Sequence, residues 1–299
     1  MPGIKKSPWI IHYDASSCNG CDIEVLACLT PVFDVERLGV VNTGNPKHAD
    51  IFLVTGAVNP QSNTVIRNIY RQMPEPKVVI AVGACACSGG IFRDCYNISG
   101  GVDTTIPVDV YAPGCACRPE AIIDSVVAAL GVLDQKCKDM KEFAAGMDKT
   151  RFARATKADL PSILALEKIA FYRESELYGD AGLPVETQTL ATLEADFDKI
   201  VILKATINNK IVGSARGLIE GNTTHLGNIA VHPYCQGEGI GQRLLQELEA
   251  VTPAAKHFDI RIGAKSAQGP WLQKRGFTSA RTEVVSAALS WVYFQKECA

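Results

Sequence analysis

The stretch 77–92, KVVIAVGACACSGGIF, opens on β-branched and small apolar residues and ends in two cysteines set among glycines. An apolar run with no polar alternation predicts a strand buried on both faces, as in a parallel sheet covered by helices. The glycines that follow predict a loop at the strand's carboxyl end, where open α/β sheets hold their ligands. The neighbouring sequence repeats this plan. WIIHY (9–13), RLGVV (37–41), DIFLVTGAV (50–58) and VDVYAPG (108–114) read as strands. DIEVLACL (22–29), TVIRNIYRQM (64–73) and PEAIIDSVVAALGVL (119–133) read as helices, the last with proline at its start. Strand–helix alternation of this kind predicts an α/β fold.

Each cysteine motif follows a predicted strand. Cys18-Asn19-Gly20-Cys21 lets two thiolates face one site across a turn that Gly20 relieves. Cys85 in GACACSGGIF and Cys115 in APGCACRPEAI supply a third and a fourth thiolate. Glycines there free backbone N–H groups to approach sulfur, which tunes the potential of an iron–sulfur cluster. Spacing alone leaves two readings, an iron–sulfur cluster or a zinc ion held by four cysteines. Cys87 and Cys117 each lie two residues beyond a proposed ligand, as alternative ligands or spare buried thiols. Cys28, Cys95 and Cys137 fit no spacing and read as small apolar residues. Nine of the 11 cysteines precede residue 138, and the start MPGIKKSPWIIHYDASSC has no apolar signal-peptide core. Clustered cysteines in such a chain point to metal or redox chemistry before disulfides.

In this order CNGCDIEVLACLTP, GACACSGG and PGC-x-x-RPEAI resemble the small subunit of group 4, energy-converting nickel–iron hydrogenases, a superfamily that includes the B subunit of complex I. The resemblance covers residues 5–133. It implies a flavodoxin-like domain holding one 4Fe–4S cluster on Cys18, Cys21, Cys85 and Cys115. It also places Glu24, three residues after Cys21, at an interface with a large subunit, and a carboxylate on a helix's first turn would be favoured by the helix dipole. The C-x-x-C spacing favours the hydrogenase branch, since the complex I subunit has adjacent cysteines at this point. Ala116-Cys117 departs from the family's Pro-Pro. Nickel ligands belong to the large subunit, so the resemblance implies one-electron transfer between that partner and a ferredoxin-like one.

QKCKDMKEFAAGMDKT (135–150) is charged, small and weakly patterned, and reads as a linker between a domain at 1–134 and one at 151–299. After it the pattern restarts. FARATKADLPSILALEKIAF predicts a strand, a turn and a helix with Asp159 as N-cap. IVILKATI (200–207) and KIVGSARGLIEG (210–221) form a predicted hairpin through Asn208-Asn209. LGNIAVHP (226–233), GQRLLQELEAV (241–251), FDIRIGA (258–264) and PWLQKRGF (270–277) read in turn as strand, helix, strand and a short segment ended by Gly276, and VVSAALSWVYFQK (284–296) has strand patterning. Gln236-Gly237-Glu238-Gly239-Ile240-Gly241 is a glycine-rich turn between strand and helix, an anion site built from backbone N–H groups and the helix dipole.

This Q-x-x-G-x-G pattern resembles motif A of the GNAT acetyltransferases, and WLQKRGF resembles their Y-x-K-x-G-F segment. The resemblance implies a mixed, splayed sheet with acetyl-CoA between two parting strands. Ile229, Ala230 and Val231 would face the acetyl and pantetheine arm, and residues 236–241 the pyrophosphate. Acetyl transfer to an amine needs a base and a donor for the leaving thiolate. Glu220 and His225 lie near the strand that often carries the base. The family's tyrosine donor position holds Leu272, with Tyr293 or Tyr234 as substitutes, and the acceptor loop falls at 172–190.

The chain has 299 residues, enough for two domains of roughly 150 each. A net charge of −2 does not suggest nucleic acid. Residues 1–148 carry 12 Lys+Arg against 16 Asp+Glu, and residues 149–299 carry 18 against 16, so the basic half is the one with the anion loop. No apolar run reaches the roughly 18 residues of a membrane span. The expectation is a cytoplasmic protein whose membrane association comes only through partner subunits. The competing reading is an acetyltransferase whose cysteine domain is structural or redox-sensing.

Overall fold

The computed structural model describes residues 7–178, 187–252, 257–286 and 289–297. The chain divides into two compact units, residues 1–140 and 141–299.

In the first unit β1 (Trp9–Asp14), β2 (Val41–Asn42), β3 (Ile51–Thr55), β4 (Val78–Val82) and β5 (Val110–Ala112) form an all-parallel sheet in the order β2-β1-β3-β4-β5. That is the flavodoxin-like order, reversing direction between β1 and β3. Every residue of β3 and β4 is buried, which accounts for a sequence that is apolar but for Thr55 at the end of β3. The helices are α1 (Gly20–Cys28), α2 (Pro60–Gln72), α3 (Gly83–Ser88) and α4 (Pro119–Gly146). Asn59 and Ser62 form a capping box at the start of α2. At its end the buried Lys77 donates to the Tyr70 carbonyl at 2.7 Å, satisfying an orphan acceptor. On α4, Ile122, Val126, Ala129 and Leu133 recur at helical spacing and pack on the core.

Three expectations change here. RLGVV is a 3-10 turn (Val35–Leu38) closed by Gly39 at φ 81°, which leaves only two residues for β2. GACACSGG, expected as a loop, folds as α3. The stretch 135–150 is helical to Gly146, followed by a 3-10 turn. Its lysines, glutamate, methionines and alanines are good helix formers, and weak patterning there marks an exposed helix.

The second unit is a seven-stranded sheet ordered β11-β12-β10-β9-β8-β7-β6. Its strands are β6 (Arg151–Arg154), β7 (Ile200–Ile207), β8 (Lys210–Glu220), β9 (Thr223–Val231), β10 (His257–Gly263), β11 (Thr278–Val284) and β12 (Ser290–Glu297). Its helices are α5 (Leu160–Tyr178), α6 (Leu190–Asp196), α7 (Ile240–Val251) and α8 (Gly269–Gln273). Asn208 and Asn209 join β7 to β8 with φ of 50° and 66°, as a type I′ turn requires. Helix α7 buries Ile240, Leu244, Leu245 and Leu248 against the sheet. Strands β9 and β10 are parallel, and their pairing runs only from Thr223–His257 to Leu226–Ile260. Beyond that point β9 continues to Val231 and β10 to Gly263 without pairing, so the two strands part.

Asp159 is not the N-cap of α5. Thr156 caps a 3-10 turn ahead of the helix, and the Asp159 carboxylate accepts from the Thr156 N–H at 2.7 Å and pairs with Lys204. Strand β11 lies ahead of the predicted final strand, and every one of its residues is exposed. It therefore carries no apolar alternation to betray it. Of the acceptor loop at 172–190, residues 179–186 lie outside the described residues, as does Cys298. Among the described residues no helix is long and apolar enough to cross a membrane.

Candidate functional site

The first site lies along the carboxyl edge of the parallel sheet. Cys18 follows β1, Cys21 is in the first turn of α1, Cys85 is on α3 directly after β4, and Cys115 follows β5. Cys18 and Cys115 are exposed, and Cys21 and Cys85 are half-buried. Burial pushes the Cys85 thiol up, and the charges of Cys115, Cys18 and Cys21 push it further. Burial also raises Cys21, opposed by a hydrogen bond from the Cys117 N–H, with Cys18 and Cys115 again among the neighbouring charges. The four sulfurs therefore share one electrostatic neighbourhood. Among the described residues no three ligand-type side chains are grouped so as to hold a single metal ion. A four-iron cluster, in which each thiolate takes its own iron, needs no such common centre.

Glycine shapes this site. Gly83 has φ 85°, and a Cβ there would lie 2.4 Å from the Cys21 Sγ. Gly83→Ala is expected to cost about 1–2 kcal/mol in backbone strain and to displace Cys21. The checks are a lower denaturation temperature together with reduced iron in anaerobically prepared protein. Unchanged values of both would contradict the cradle.

Two further cysteines, Cys87 and Cys117, lie close behind Cys21. Cys117 is buried and its charge acts on Cys87, whose thiol donates to the Ala81 carbonyl at 3.5 Å and is pushed up to about 11 by burial. Cys28 is buried, donates to the Glu24 carbonyl at 3.2 Å, and is likewise pushed up to about 11 by burial. Cys95 is exposed and Cys137 half-buried.

Glu24 is a second-turn residue, because α1 begins at Gly20. The first-turn acid is Asp22, and helix-dipole stabilisation falls off within that turn. Sequence reading missed Asp22. Its Oδ1 accepts from the Thr55 hydroxyl at 2.6 Å and lies 3.0 Å from His12 Nε2, and its other oxygen accepts from Ser17. Burial lowers the His12 pKa, against the raising influence of Asp22 and Asp14. This network ties β1, β3 and α1 together beneath Cys18 and Cys21, at the point where strand order reverses.

In the second unit a cleft of about 310 Å³ lies beside the part of β9 that β10 does not pair. Ile229 and Val231 line it from β9, Gln236, Gly237, Gly239, Ile240 and Gly241 from the turn into α7, and Trp271 and Arg275 from the α8 segment. Ala230 is buried and pairs with Ser214 of β8. Gly237 and Gly239 have φ of 85° and 82°, with open space where a Cβ would point. The left-handed turns aim backbone N–H groups and the start of α7 at the cleft, as an anionic ligand requires. Glu238 is exposed.

A second cavity of about 530 Å³ is lined from β9 by His225, Leu226, Gly227 and Asn228, and from β10 by Asp259 and Arg261. His225 Nε2 is 3.5 Å from Glu220 and its Nδ1 is 3.6 Å from Asp259. Glu220 and His225 thus come together, though neither lines the cleft at Ile229. Asp259 was not foreseen. Its Oδ1 is buried without a hydrogen-bond partner. Leu272 is buried in the core, the Tyr293 hydroxyl bonds to Glu283 at 2.5 Å, and Tyr234 packs on His232.

Comparison with known proteins gives two separate likenesses. Residues 18–129 match the family described as NADH ubiquinone oxidoreductase, 20 Kd subunit, and residues 185–298 match the acetyltransferase (GNAT) domain. The probable membrane-bound hydrogenase subunit mbhJ of Pyrococcus furiosus is 50% identical over 135 residues, which are 45% of this chain and 81% of that one. Formate hydrogenlyase subunit 7 of Escherichia coli is 46% identical over 133 residues, 44% of this chain and 52% of that one. Of solved structures, the PaiA N-acetyltransferase from Thermoplasma acidophilum in complex with coenzyme A is 15% identical, with a TM-score of 0.42, covering 50% of this chain and 99% of that one.

Proposed function

Because the first half of this chain belongs to the NADH ubiquinone oxidoreductase 20 Kd subunit family and the second half is a GNAT acetyltransferase domain, we propose that it joins an electron-transfer subunit to an acetyl-CoA-dependent N-acetyltransferase. The domains run over 1–134 and 151–299, with 135–150 as the connection. Cys18, Cys21, Cys85 and Cys115 hold one 4Fe–4S cluster, which when bound supplies one-electron redox chemistry. The observation that carries this reading is the placement of those four thiols after three strands along one edge of the sheet, with Gly83 leaving room for the Cys21 sulfur.

Exposed apolar residues flank the same edge. Ile23 and Leu26 stand out from α1, and Ile91 and Tyr96 follow α3. Uncovered apolar groups beside a redox site suit a docked partner. That partner is a hydrogenase-like large subunit, with Glu24 in the interface, and a ferredoxin-like protein completes the electron path. Relatives named as hydrogenase and formate hydrogenlyase subunits support this assembly, peripheral on the cytoplasmic face of the membrane.

In the second unit Ile229, Ala230 and Val231 take the acetyl and pantetheine arm, and residues 236–241 take the pyrophosphate. The acceptor's ammonium must lose a proton before attack. His225, with Glu220 and Asp259 beside it, is the group for that step. Leu272 has no proton to give, so the departing thiolate takes one from water.

The test is absorption and EPR spectroscopy of anaerobically purified protein, with iron, sulfide and zinc quantified. About four iron per chain and a visible band that dithionite bleaches are expected. Stoichiometric zinc without iron would overturn the electron-transfer reading.

A further inference from the structure

The guanidinium of Arg275 is a cation in the coenzyme cleft with neutral partners alone. Its Nη1 donates to the Trp271 carbonyl at 2.8 Å, and its Nη2 donates to Gln242 Oε1 at 2.8 Å. The plane stacks over the Trp271 ring, 4.0 Å from its centroid. Among the described residues no carboxylate pairs with it, and its buried Nε has no hydrogen-bond partner. A buried N–H left unpaired is costly, and so is a desolvated cation without a counter-charge. Burial pulls the Arg275 pKa down, which is the same penalty seen from the proton's side.

The location says what would satisfy it. Gln242, which holds one arm of the fork, lies in the first turn of α7, directly after the glycine turn. Arg275 and the glycine turn line one cleft. The backbone N–H groups of that turn and the start of the helix favour an anion there. A planar fork of donors stacked on an aromatic ring favours the same anion, since guanidinium geometry matches phosphate oxygens.

We propose that Arg275 closes the anion site of the second unit, donating the Nη hydrogens that Trp271 and Gln242 leave free to the pyrophosphate of coenzyme A at Gly237–Gly241. This rests on the coenzyme A reading above and adds to it a side chain outside the glycine motif. Trp271 and Gln242 act as positioning residues that keep the fork planar to the cleft. The 3′-phosphate is the other anion that coenzyme A could bring, and the test separates the two.

The experiment is calorimetric titration of the full chain and its Arg275→Gln and Arg275→Lys variants with coenzyme A, dephospho-coenzyme A and pantetheine. Arg275→Gln is expected to weaken coenzyme A and dephospho-coenzyme A alike by about 10- to 100-fold, the usual span for a hydrogen bond to a charged group. Pantetheine, which has no phosphate, should be unaffected. Arg275→Lys keeps the charge without the planar fork and should recover only part of the loss. Weakening confined to coenzyme A would move Arg275 to the 3′-phosphate and overturn the assignment. Equal weakening of pantetheine would make the role one of packing against Trp271, again overturning it. A wild-type chain that binds none of the three would sink the coenzyme reading itself, a result distinct from normal binding by Arg275→Gln.

Discussion

Cys85→Ser is expected to remove most of the iron from the first unit, while Cys117→Ser retains it. The two cysteines follow neighbouring strands of one sheet edge, Cys85 on α3 and Cys117 after β5, and their surroundings differ. Cys85 is half-buried, and in the proposed site its sulfur joins those of Cys18, Cys21 and Cys115. Cys117 is 1% exposed and packs in the core with Val82 and Ile122. Serine is close to cysteine in size, so neither change should disturb the fold by volume. What changes is the donor, because a hard hydroxyl with a high pKa is a poor substitute for a soft thiolate. With three thiolates left, one iron loses its protein ligand, and the visible absorbance should fall with the iron. Iron and sulfide per chain and the dithionite-bleachable absorbance, measured on both variants and on Cys87→Ser, decide the matter. Iron lost equally in Cys117→Ser would reassign the fourth ligand.

The sheet of the first unit was legible because buried parallel strands announce themselves. Val78–Val82 is apolar throughout and Ile51–Thr55 is apolar up to its last residue, and each is followed by glycine. The cysteine positions followed from the strands, since a motif directly after a buried strand falls at the ligand-bearing edge. Where the reading failed, the physics was local or long-range in ways that composition hides. Helix α3 is short and made of Gly, Ala, Cys and Ser, so no periodicity could mark it. The β11 strand is exposed throughout and has no apolar face to signal. The glycine turn was legible in six consecutive residues. Asp259 and His225 meet through the parallel pairing of β9 with β10, 34 positions apart in sequence. Arg275 lay within a recognised segment, yet its hydrogen bond to Gln242 joins positions 33 apart.

Glu167→Ala is expected to cost about 3–5 kcal/mol, the typical penalty for breaking a buried ion pair. Glu167 is fully buried on α5. Its Oε1 accepts from Arg216 Nε at 2.8 Å, and its Oε2 accepts from Arg216 Nη2 and from Asn228 Nδ2 at 3.2 Å. Arg216 spends a further N–H on Gln188 at 2.9 Å. Removing the carboxylate strands a guanidinium that is only 11% exposed. The same change releases Asn228, which holds φ 48° where the β8–β9 register shifts, immediately before Ile229 enters the cleft beside the glycine turn. One substitution should therefore do two things. The second unit should melt on the order of 10 °C lower, and coenzyme A should bind more weakly well below that temperature. Trp271 and Trp291 both lie in the second unit, so their fluorescence follows its transition, with Trp9 as the single reporter in the first. The double variant Glu167→Met with Arg216→Met separates the causes. An apolar pair of similar volume often replaces a buried ion pair at little cost in stability, so its melting temperature should return toward wild type. Coenzyme binding should stay impaired, because methionine offers Asn228 no acceptor. If the double variant restored binding together with stability, the ion pair would be holding the fold alone, and the bulge at Asn228 would need no anchor.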